Sequence, residues 1–276
     1  MLKANFHTHT ILCDGSDEPE QVVTQALAYG FTQLGFSGHM DPDIRMNFPQ
    51  YKAEVLRLRE KYRDRIDILL GVELDTLYAD PSCAMEAEYV IGSTHFIDLP
   101  TTENLSVDFS EEMLEKTAKE FFSGDYYALA KAYYETEAKV CDRFRPTFIG
   151  HFDLVTRFND AMHFLDESDP RYIGPAMETL EYLAREKNVP FEINCGAVNR
   201  RRKKEFYPNH FFLKALRDFG GEIFISSDAH QKELLNGAFE EAVREAIACG
   251  FTHTNILKHD GNGNVVTEQI PLDTLY

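Results

Sequence analysis

Seven β-type segments of this chain each run into a histidine or a polar rim residue, and helical stretches separate them. In chain order, the groups at the segment ends are His7 and His9, His39, Glu73, His95, His151 with Asp153, Asn194 beside Glu192, and Asp228 with His230. In a parallel strand-helix barrel all strands end at one rim, where such folds place their chemistry. The pattern therefore predicts an α/β barrel whose rim forms a site for several metal ions.

The chain has 276 residues, 43% of them hydrophobic, which is enough to build one large core. Strands alternate with helices from end to end without a Pro/Gly/Ser-rich linker or an internal repeat, so we expect a single α/β domain over residues 1–276. The five cysteines are scattered singly, without a C-x-x-C pair. This spacing indicates reduced thiols and argues against zinc sites built on thiolates.

Charge and hydropathy limit the expected partners and location. No apolar stretch of signal-peptide type follows Met1, and no window approaches the ~20 apolar residues needed to cross a bilayer. We therefore expect a soluble, cytoplasmic protein without membrane association. The formal net charge of −18 should repel a nucleic acid, so no nucleic-acid partner is expected. A small phosphate ester remains compatible, because bound divalent cations reverse the local charge.

Two short motifs carry the metal-site prediction. His7 and His9 alternate on an extended segment, so both imidazoles point to the same side. Asp228 and His230 repeat this arrangement at the end of another strand. Carboxylates gathered with them would be costly to bury without cations. Imidazole and carboxylate ligands suit zinc, iron and manganese alike, so the ligand types leave all three metals open.

A structural role competes with metal binding for each residue taken singly. A lone histidine at a strand end is more often a hydrogen-bonded rim residue than a ligand, but six of the ten histidines occupy such positions. Glu192 and Asp153 fit a ligand and a ligand-orienting group equally well. The remaining histidines are expected on loops or helices, without a metal role: His163, His210, His253 and His259.

Six motifs occur in order along the chain. They are His7-Thr8-His9 with Cys13-Asp14-Gly15, Gly35-Phe36-Ser37-Gly38-His39, Gly71-Val72-Glu73, Gly92-Ser93-Thr94-His95-Phe96, Gly150-His151-Phe152-Asp153-Leu154 and Ser226-Ser227-Asp228-Ala229-His230. Together they resemble the polymerase and histidinol phosphatase (PHP) superfamily, and within it the histidinol-phosphate phosphatases, essentially from end to end. The resemblance implies a distorted (β/α)7 barrel with three divalent metal ions (zinc, iron or manganese) at the carboxyl rim of the strands.

Ligand sets for three ions follow from the resemblance. The first ion would be held by His7, His9, Glu73 and Asp228; the second would share Glu73 and add His95 and His151; the third would use Asp14, His39 and His230. Asp14 occupies a position where other branches of the superfamily carry histidine.

Features of the phosphatase branch concern the substrate phosphate. The segment Asn194–Arg200, followed by Tyr207-Pro208, is similar to a loop of that branch, with Cys195 where threonine is expected. Arg157 and Arg200 are the candidates for binding phosphate, because a guanidinium fork matches phosphate geometry. The adjacent basic run from Arg201 to Lys204 is expected to be largely solvent-exposed.

The resemblance implies hydrolysis of L-histidinol phosphate to L-histidinol and phosphate, a step of histidine biosynthesis, by a hydroxide that bridges two metals. Glu73, Asp228 and His230 are the expected catalytic residues, with Asp228, His230 or the third metal assisting the leaving alkoxide. A nucleotide phosphodiesterase, exonuclease or other small-molecule phosphoesterase would keep this centre, although the charge of −18 disfavours long nucleic acids. A non-catalytic scaffold should have lost ligands, and all nine positions carry competent side chains.

Overall fold

Seven parallel strands form one sheet in simple sequence order in the computed structural model, which describes residues 3–275. The strands are β1 (Ala4–Asn5), β2 (Gln33–Met40), β3 (Asp67–Asp75), β4 (Tyr89–Ser93), β5 (Phe148–Ile149), β6 (Phe191–Asn194) and β7 (Ile223–Ser226). They are buried almost throughout, as expected for a parallel sheet that is covered on both faces. The predicted alternation of strands and helices is confirmed.

The two edges of this sheet meet just beyond β1 and β7. Thr8 pairs with Ala229 in a parallel bridge, and the backbone N–H of His9 donates to the carbonyl of Ala229 at 2.9 Å. Below them, the Asn5 side-chain amide donates to the Ser227 hydroxyl at 2.7 Å. The sheet is thereby closed into a barrel, and its carboxyl rim is completed by residues that follow the strands.

Helices separate the strands, except that β3 and β4 are joined only by a short 3-10 helix at Pro81–Met85. The longer ones are α1 (Pro19–Ala28), α2 (Phe48–Tyr62), α3 (Glu111–Phe122), α4 (Tyr126–Glu137), α7 (Pro170–Glu181), α9 (His210–Asp218) and α10 (Phe239–Ala248); the short ones are α5 (Val140–Arg143), α6 (Asn159–Met162) and α8 (Gly196–Asn199). Their starts follow local chemistry: Asn209, for example, caps α9 by accepting the backbone N–H of Phe212. Among residues 3–275, no helix combines the length and apolar character that a membrane crossing requires.

Tyr89 fills the barrel interior beneath the rim. Its ring is fully buried, and its hydroxyl donates to the carbonyls of Phe6 at 2.7 Å and Phe36 at 2.9 Å. Space for the ring exists because Gly35 and Gly71 lack side chains: a Cβ on Gly71 would lie 2.1 Å from the ring. These two glycines of the sequence motifs therefore make room for the Tyr89 ring inside the barrel, beneath the candidate metal ligands.

An antiparallel hairpin of β8 (His253–His259) and β9 (Val265–Pro271) follows the barrel, and its two strands are joined by a turn at residues 260–264. The hairpin contacts the amino-terminal end of the strands, where the Thr254 hydroxyl donates to the carbonyl of Ile223 at 3.2 Å. The expectation of a loop or helix is wrong for His253 and His259, which begin and end β8. Their side chains serve the hairpin: His259 contacts carboxylates of Asp67 and Glu88 at the base of the barrel.

Candidate metal centre

The Glu73 carboxylate, at the end of β3, lies at the centre of a cluster of imidazoles. Three imidazole nitrogens face its Oε2 atom, from His7 at 3.1 Å, His39 at 3.2 Å and His9 at 3.4 Å. Two more face Oε1, from His151 at 2.8 Å and His95 at 3.4 Å. These residues come from five different strand ends. The barrel therefore places Glu73 between two groups of imidazoles, a position compatible with the shared role that the family resemblance implies.

Asp228 and Asp14 bring the remaining predicted ligands together. Asp228 Oδ1 lies 3.5 Å from His9 Nε2 and 3.8 Å from His7 Nε2. Asp14 Oδ2 lies 2.9 Å from His230 Nε2, and its Oδ1 lies 3.3 Å from His9 Nδ1. The ring of His9 thus stands between the two aspartates. All nine predicted metal ligands converge on one rim.

Unsatisfied buried atoms indicate that this cluster is shaped for cations. His7 Nε2, His9 Nε2, His39 Nδ1 and Glu73 Oε2 are buried and make no hydrogen bond of acceptable geometry with any residue between 3 and 275. Buried polar atoms are almost always satisfied, so four that face one another need a common partner. A divalent cation accepts lone pairs from imidazole and carboxylate at the same time, and this donor set fits zinc, iron and manganese.

The electrostatics point the same way. Although burial disfavours the imidazolium, the carboxylates of Glu192, Glu73 and Asp228 raise the pKa of His7 to about 10. Burial likewise opposes ionisation of Glu73, yet His39 and His7 hold its pKa well below the usual range. The carboxylates therefore retain protons on some of the imidazoles, since the pKa values of His7, His9 and His95 are raised, whereas burial lowers the pKa of His39 to about 3. Divalent cations would displace those protons, because metal ligands must be deprotonated.

Glu192 orients the cluster from behind instead of pointing into it. Its carboxylate accepts a hydrogen bond from His7 Nδ1 at 2.9 Å, from the His151 backbone N–H at 2.8 Å and from Asn194 Nδ2 at 2.7 Å, and it also contacts the Ser226 hydroxyl. A carboxylate on Nδ1 fixes the His7 tautomer that presents Nε2 to a metal. Of the two roles that the sequence left open for Glu192, the contacts favour the orienting one.

Asp75 is a further orienting carboxylate that the sequence reasoning missed, and Asp41 is a second buried carboxylate beside the cluster. Asp75 accepts from the backbone N–H of His95 at 2.7 Å and faces its Nδ1 at 3.2 Å. Asp41 lies 3.5 Å from Nδ1 of His39, and burial raises its pKa to about 6. Asp75 could have been found from spacing, because it follows Glu73 by two residues on the same strand and so shares its face.

Asp153 lies apart from the ligand groups identified within residues 3–275. One oxygen of its fully buried carboxylate accepts the backbone N–H of Asn209 at 3.0 Å, and burial raises the pKa of Asp153 to about 7. Its contacts therefore favour a role in supporting the loops below the rim.

A cavity of about 710 Å³ opens above the cluster, and the predicted phosphate-binding arginines line it together with Arg202. Arg200 donates to Asp228 Oδ2 at 3.1 Å and to the Asp228 carbonyl at 3.0 Å, while Arg157 lies 3.4 Å from Asp108 Oδ2. The Nε atoms of Arg157 and Arg200 are buried without a hydrogen-bond partner in the described chain. Each arginine thus keeps a free donor, as binding of an anion requires.

The expectation of a solvent-exposed run from Arg201 to Lys204 is wrong at Lys203. This residue is buried, whereas Arg201, Arg202 and Lys204 are exposed. Lys203 Nζ donates to the Thr156 hydroxyl at 2.6 Å and lies 3.6 Å from Glu167. A buried ammonium is tolerated when it is paired and hydrogen-bonded. Lys203 therefore attaches the arginine loop to the segment that carries Arg157.

Comparison with known proteins agrees with this geometry. Residues 5–195 match the PHP domain, which is more than half of the chain. The chain belongs to the PHP domain family. It is 24% identical to a probable histidinol-phosphatase of Schizosaccharomyces pombe over 100% of this chain and 95% of the relative. A probable histidinol-phosphatase of Deinococcus radiodurans is 28% identical over 87% of this chain and 90% of that protein.

Solved structures support the PHP fold. A histidinol phosphate phosphatase of Lactococcus lactis, crystallised with zinc, L-histidinol and phosphate, aligns with a TM-score of 0.71 and 22% identity over 94% of this chain and 98% of its own. A putative histidinol phosphatase of Listeria monocytogenes aligns with a TM-score of 0.74 and 19% identity over 87% of this chain and 99% of its own. The predicted PHP-type (β/α)7 barrel is confirmed.

Proposed function

We propose that this chain is a metal-dependent phosphomonoesterase that hydrolyses L-histidinol phosphate to L-histidinol and phosphate. The observation that carries the proposal is that seven of the nine candidate metal ligands line one cavity together with Arg157 and Arg200, while the other two, His7 and His9, contact Glu73 and Asp228 beneath it. End-to-end similarity to proteins named histidinol-phosphatase supports the choice of substrate.

The metal requirement is proposed from the donor set. Three divalent ions, of zinc, iron or manganese, would use the three ligand sets that the family resemblance implies, with Glu73 shared between two of them; His230 either completes the third set or stays free of metal and carries a proton. Zinc accompanies the Lactococcus lactis relative in its crystal structure. When bound, such ions activate water for attack on phosphorus and neutralise phosphate oxygens. Elemental analysis of the purified protein would identify the ions and count them.

The arginines would hold the phosphate in place. Arg157 and Arg200 each present a buried, free Nε–H donor, and a guanidinium remains charged at all working pH values. Asp228 fixes the Arg200 fork from one side, which leaves less side-chain freedom to be lost on binding. We expect Arg157→Met to raise KM for histidinol phosphate by roughly tenfold or more, since a charge-assisted hydrogen bond contributes about 1.5–3 kcal/mol.

The leaving alkoxide needs a proton, and His230 is the group we propose to supply it. Burial alone would favour protonated Asp228, but Arg200 and His7 hold the pKa of Asp228 well below its usual range. Asp228 therefore stays ionised and carries no proton to deliver. His230 lines the cavity and its ring is a quarter exposed, so it can reach both substrate and water.

Two substrates separate the roles of His230. The His230→Asn substitution should lower kcat for histidinol phosphate by about 10²–10⁴-fold, which is the usual contribution of a general acid. Turnover of p-nitrophenyl phosphate should change far less, because nitrophenolate leaves without a proton. Equal losses on both substrates, together with a lost metal ion, would assign His230 to metal binding alone.

The substrate proposal is tested by phosphate release from L-histidinol phosphate, p-nitrophenyl phosphate and nucleotide esters, with zinc or manganese added. We expect kcat/KM to be highest for histidinol phosphate by at least about a hundredfold, since the cavity would bind its cationic amine and imidazole as well as its phosphate. Equal, low kcat/KM values on every ester would reject this substrate. A preference for a nucleotide ester would favour the phosphodiesterase alternative.

We also propose that residues 1–276 form one domain. Support comes from the contacts between the hairpin and the barrel, where His259 donates its backbone N–H to Asp67 Oδ2 at 2.8 Å. A single cooperative unfolding transition, seen by circular dichroism and calorimetry alike, is the expected result.

A further inference from the structure

Outside the cavity, three potential metal ligands of different chemistry meet on the surface of the barrel. His210 is the first residue of α9, Glu245 lies in the last turn of α10, and Cys249 follows that helix directly. Glu245 and Cys249 are four residues apart, so their side chains share one face of α10. None of the three lines the 710 Å³ cavity. We propose that His210, Glu245 and Cys249 form a separate zinc site that joins α9 to α10.

The distances within this triad support tetrahedral coordination. Cys249 Sγ lies 3.5 Å from His210 Nδ1 and 3.7 Å from Glu245 Oε1. Typical zinc–ligand bond lengths place a sulfur and a nitrogen, or a sulfur and an oxygen, about 3.6 Å apart in a tetrahedron. Two edges of the triad therefore already have the required length. The third, from His210 Nδ1 to Glu245 Oε1, is a hydrogen bond of 2.6 Å that must open to about 3.4 Å.

Charge and access also suit a divalent cation. A thiolate and a carboxylate balance its two charges, and a neutral imidazole completes the set. Without a cation, burial and the Glu245 carboxylate raise the pKa of the Cys249 thiol to about 12, so a bound cation has to displace the thiol proton. The thiol is buried, but the His210 side chain is 45% exposed. A cation can therefore enter from solvent and keep water as its fourth ligand.

The chain spacing explains why the sequence argued against such a site. Thiolate zinc sites are usually recognised from paired cysteines, and Cys249 is a single cysteine 39 residues from His210 in sequence. The three groups meet only because the fold places the start of α9 beside the end of α10. Because α9 begins directly after the loop that carries Arg200 and Tyr207, the zinc would also hold the end of that loop.

Cobalt substitution provides a test that does not depend on phosphatase activity. A thiolate ligand gives Co²⁺ a charge-transfer absorption in the near ultraviolet, which imidazole and carboxylate ligands do not produce. Cys13 is the one other thiol near potential ligands in the described chain, 3.7 Å from His9 Nδ1. The measurement is therefore made in a Cys13→Ser background, with Co²⁺ added to the metal-free protein, and bound metal is counted by elemental analysis.

We expect the thiolate absorption in the Cys13→Ser protein. Adding Cys249→Ser to that protein should remove the absorption and one bound ion per chain. His210→Gln should lose the same ion, and its exposed position makes misfolding no explanation. Cys83→Ser, which removes another buried thiol, should keep both the absorption and the ion. Phosphate release should be the same in the Cys249→Ser and Cys83→Ser proteins. An absent absorption in the Cys13→Ser protein, or an equal ion count in His210→Gln, would overturn the proposal.

Discussion

Replacing Glu192 by glutamine tests whether the tautomer of His7 controls metal affinity. Glu192 Oε1 accepts from the His151 backbone N–H at 2.8 Å and from Asn194 Nδ2 at 2.7 Å, so the single glutamine oxygen should occupy that position. The amide nitrogen would then face Nδ1 of His7 and the hydroxyl of Ser226. Nδ1 lies nearer to the Oε2 position, at 2.9 Å, than to Oε1, at 3.1 Å, so we expect it to accept from the amide and the ring proton to move to Nε2. Nε2 is the atom that faces Glu73, and in its protonated form it cannot bind a metal.

The expected effect is moderate because only one ligand is affected. Loss of a hydrogen bond that orients a metal-binding histidine typically lowers metal affinity or activity by about 10–100-fold. This corresponds to about 1.4–2.8 kcal/mol. The shape of the side chain is preserved, its oxygen keeps the two donors His151 N–H and Asn194 Nδ2, and its amide nitrogen can donate to the Ser226 hydroxyl, so the barrel should remain folded.

Zinc affinity would be measured by competition with a chelator, and kcat by phosphate release at saturating zinc. Glu222→Gln is the control, because Glu222 directly precedes β7, at the opposite end of the barrel from the metal cluster, and accepts from Asn255 Nδ2 at 2.9 Å. We expect the control to match the unchanged protein in both assays. A Glu192→Gln protein with unchanged zinc affinity and unchanged kcat would refute the tautomer argument.

Three further predictions concern stability. Burial raises the pKa of Glu137 well above its usual range, and both carboxylate oxygens lack a partner within residues 3–275. The free energy of unfolding should therefore fall as pH rises above the pKa of glutamic acid in the unfolded chain. Glu137→Gln should therefore be more stable at pH 8 by about 1 kcal/mol or more, with the gain fading towards pH 4; a pH-independent difference in thermal unfolding would contradict this. Gly71→Ala places a Cβ 2.1 Å from the ring of Tyr89 and should lower the free energy of unfolding by about 1–3 kcal/mol. The control Gly174→Ala has nothing within 4 Å of its added Cβ and should not lower it. Equal denaturation midpoints for the two variants would refute the packing argument. Removal of metal by a chelator should lower the unfolding temperature, and zinc should restore it, since a ligand of the folded state alone stabilises that state; an unchanged temperature would contradict a metal centre.

The barrel and its rim could be predicted from the sequence because both depend on local patterns. A buried parallel strand appears as a short apolar run, and the residue after it is at the rim whatever the exact register. His39 and Glu73 illustrate this, since each lies near the end of such a run and the two are paired in register across β2 and β3. The ligand types then indicated metal chemistry without any knowledge of distances.

The contacts behind the ligands depended on long-range packing. Glu192 was found in the sequence, but its role followed only once the barrel placed its carboxylate against His7, 185 residues away. Lys203 looked like part of a solvated basic loop, because spacing does not reveal that Thr156 and Glu167 lie beside it.

What the sequence by itself determined is the order of strands and helices, the chemistry of the rim and the identity of its nine candidate ligands. Tertiary structure decided which nitrogen of each histidine faces the centre, which carboxylates orient the rings and which distant groups meet, as His210 and Cys249 do. The physical reason is that the periodicity of side chains is a property of neighbouring residues. Hydrogen-bond geometry and ligand distances, by contrast, are set by how separate elements pack, and a shift of about 1 Å changes them.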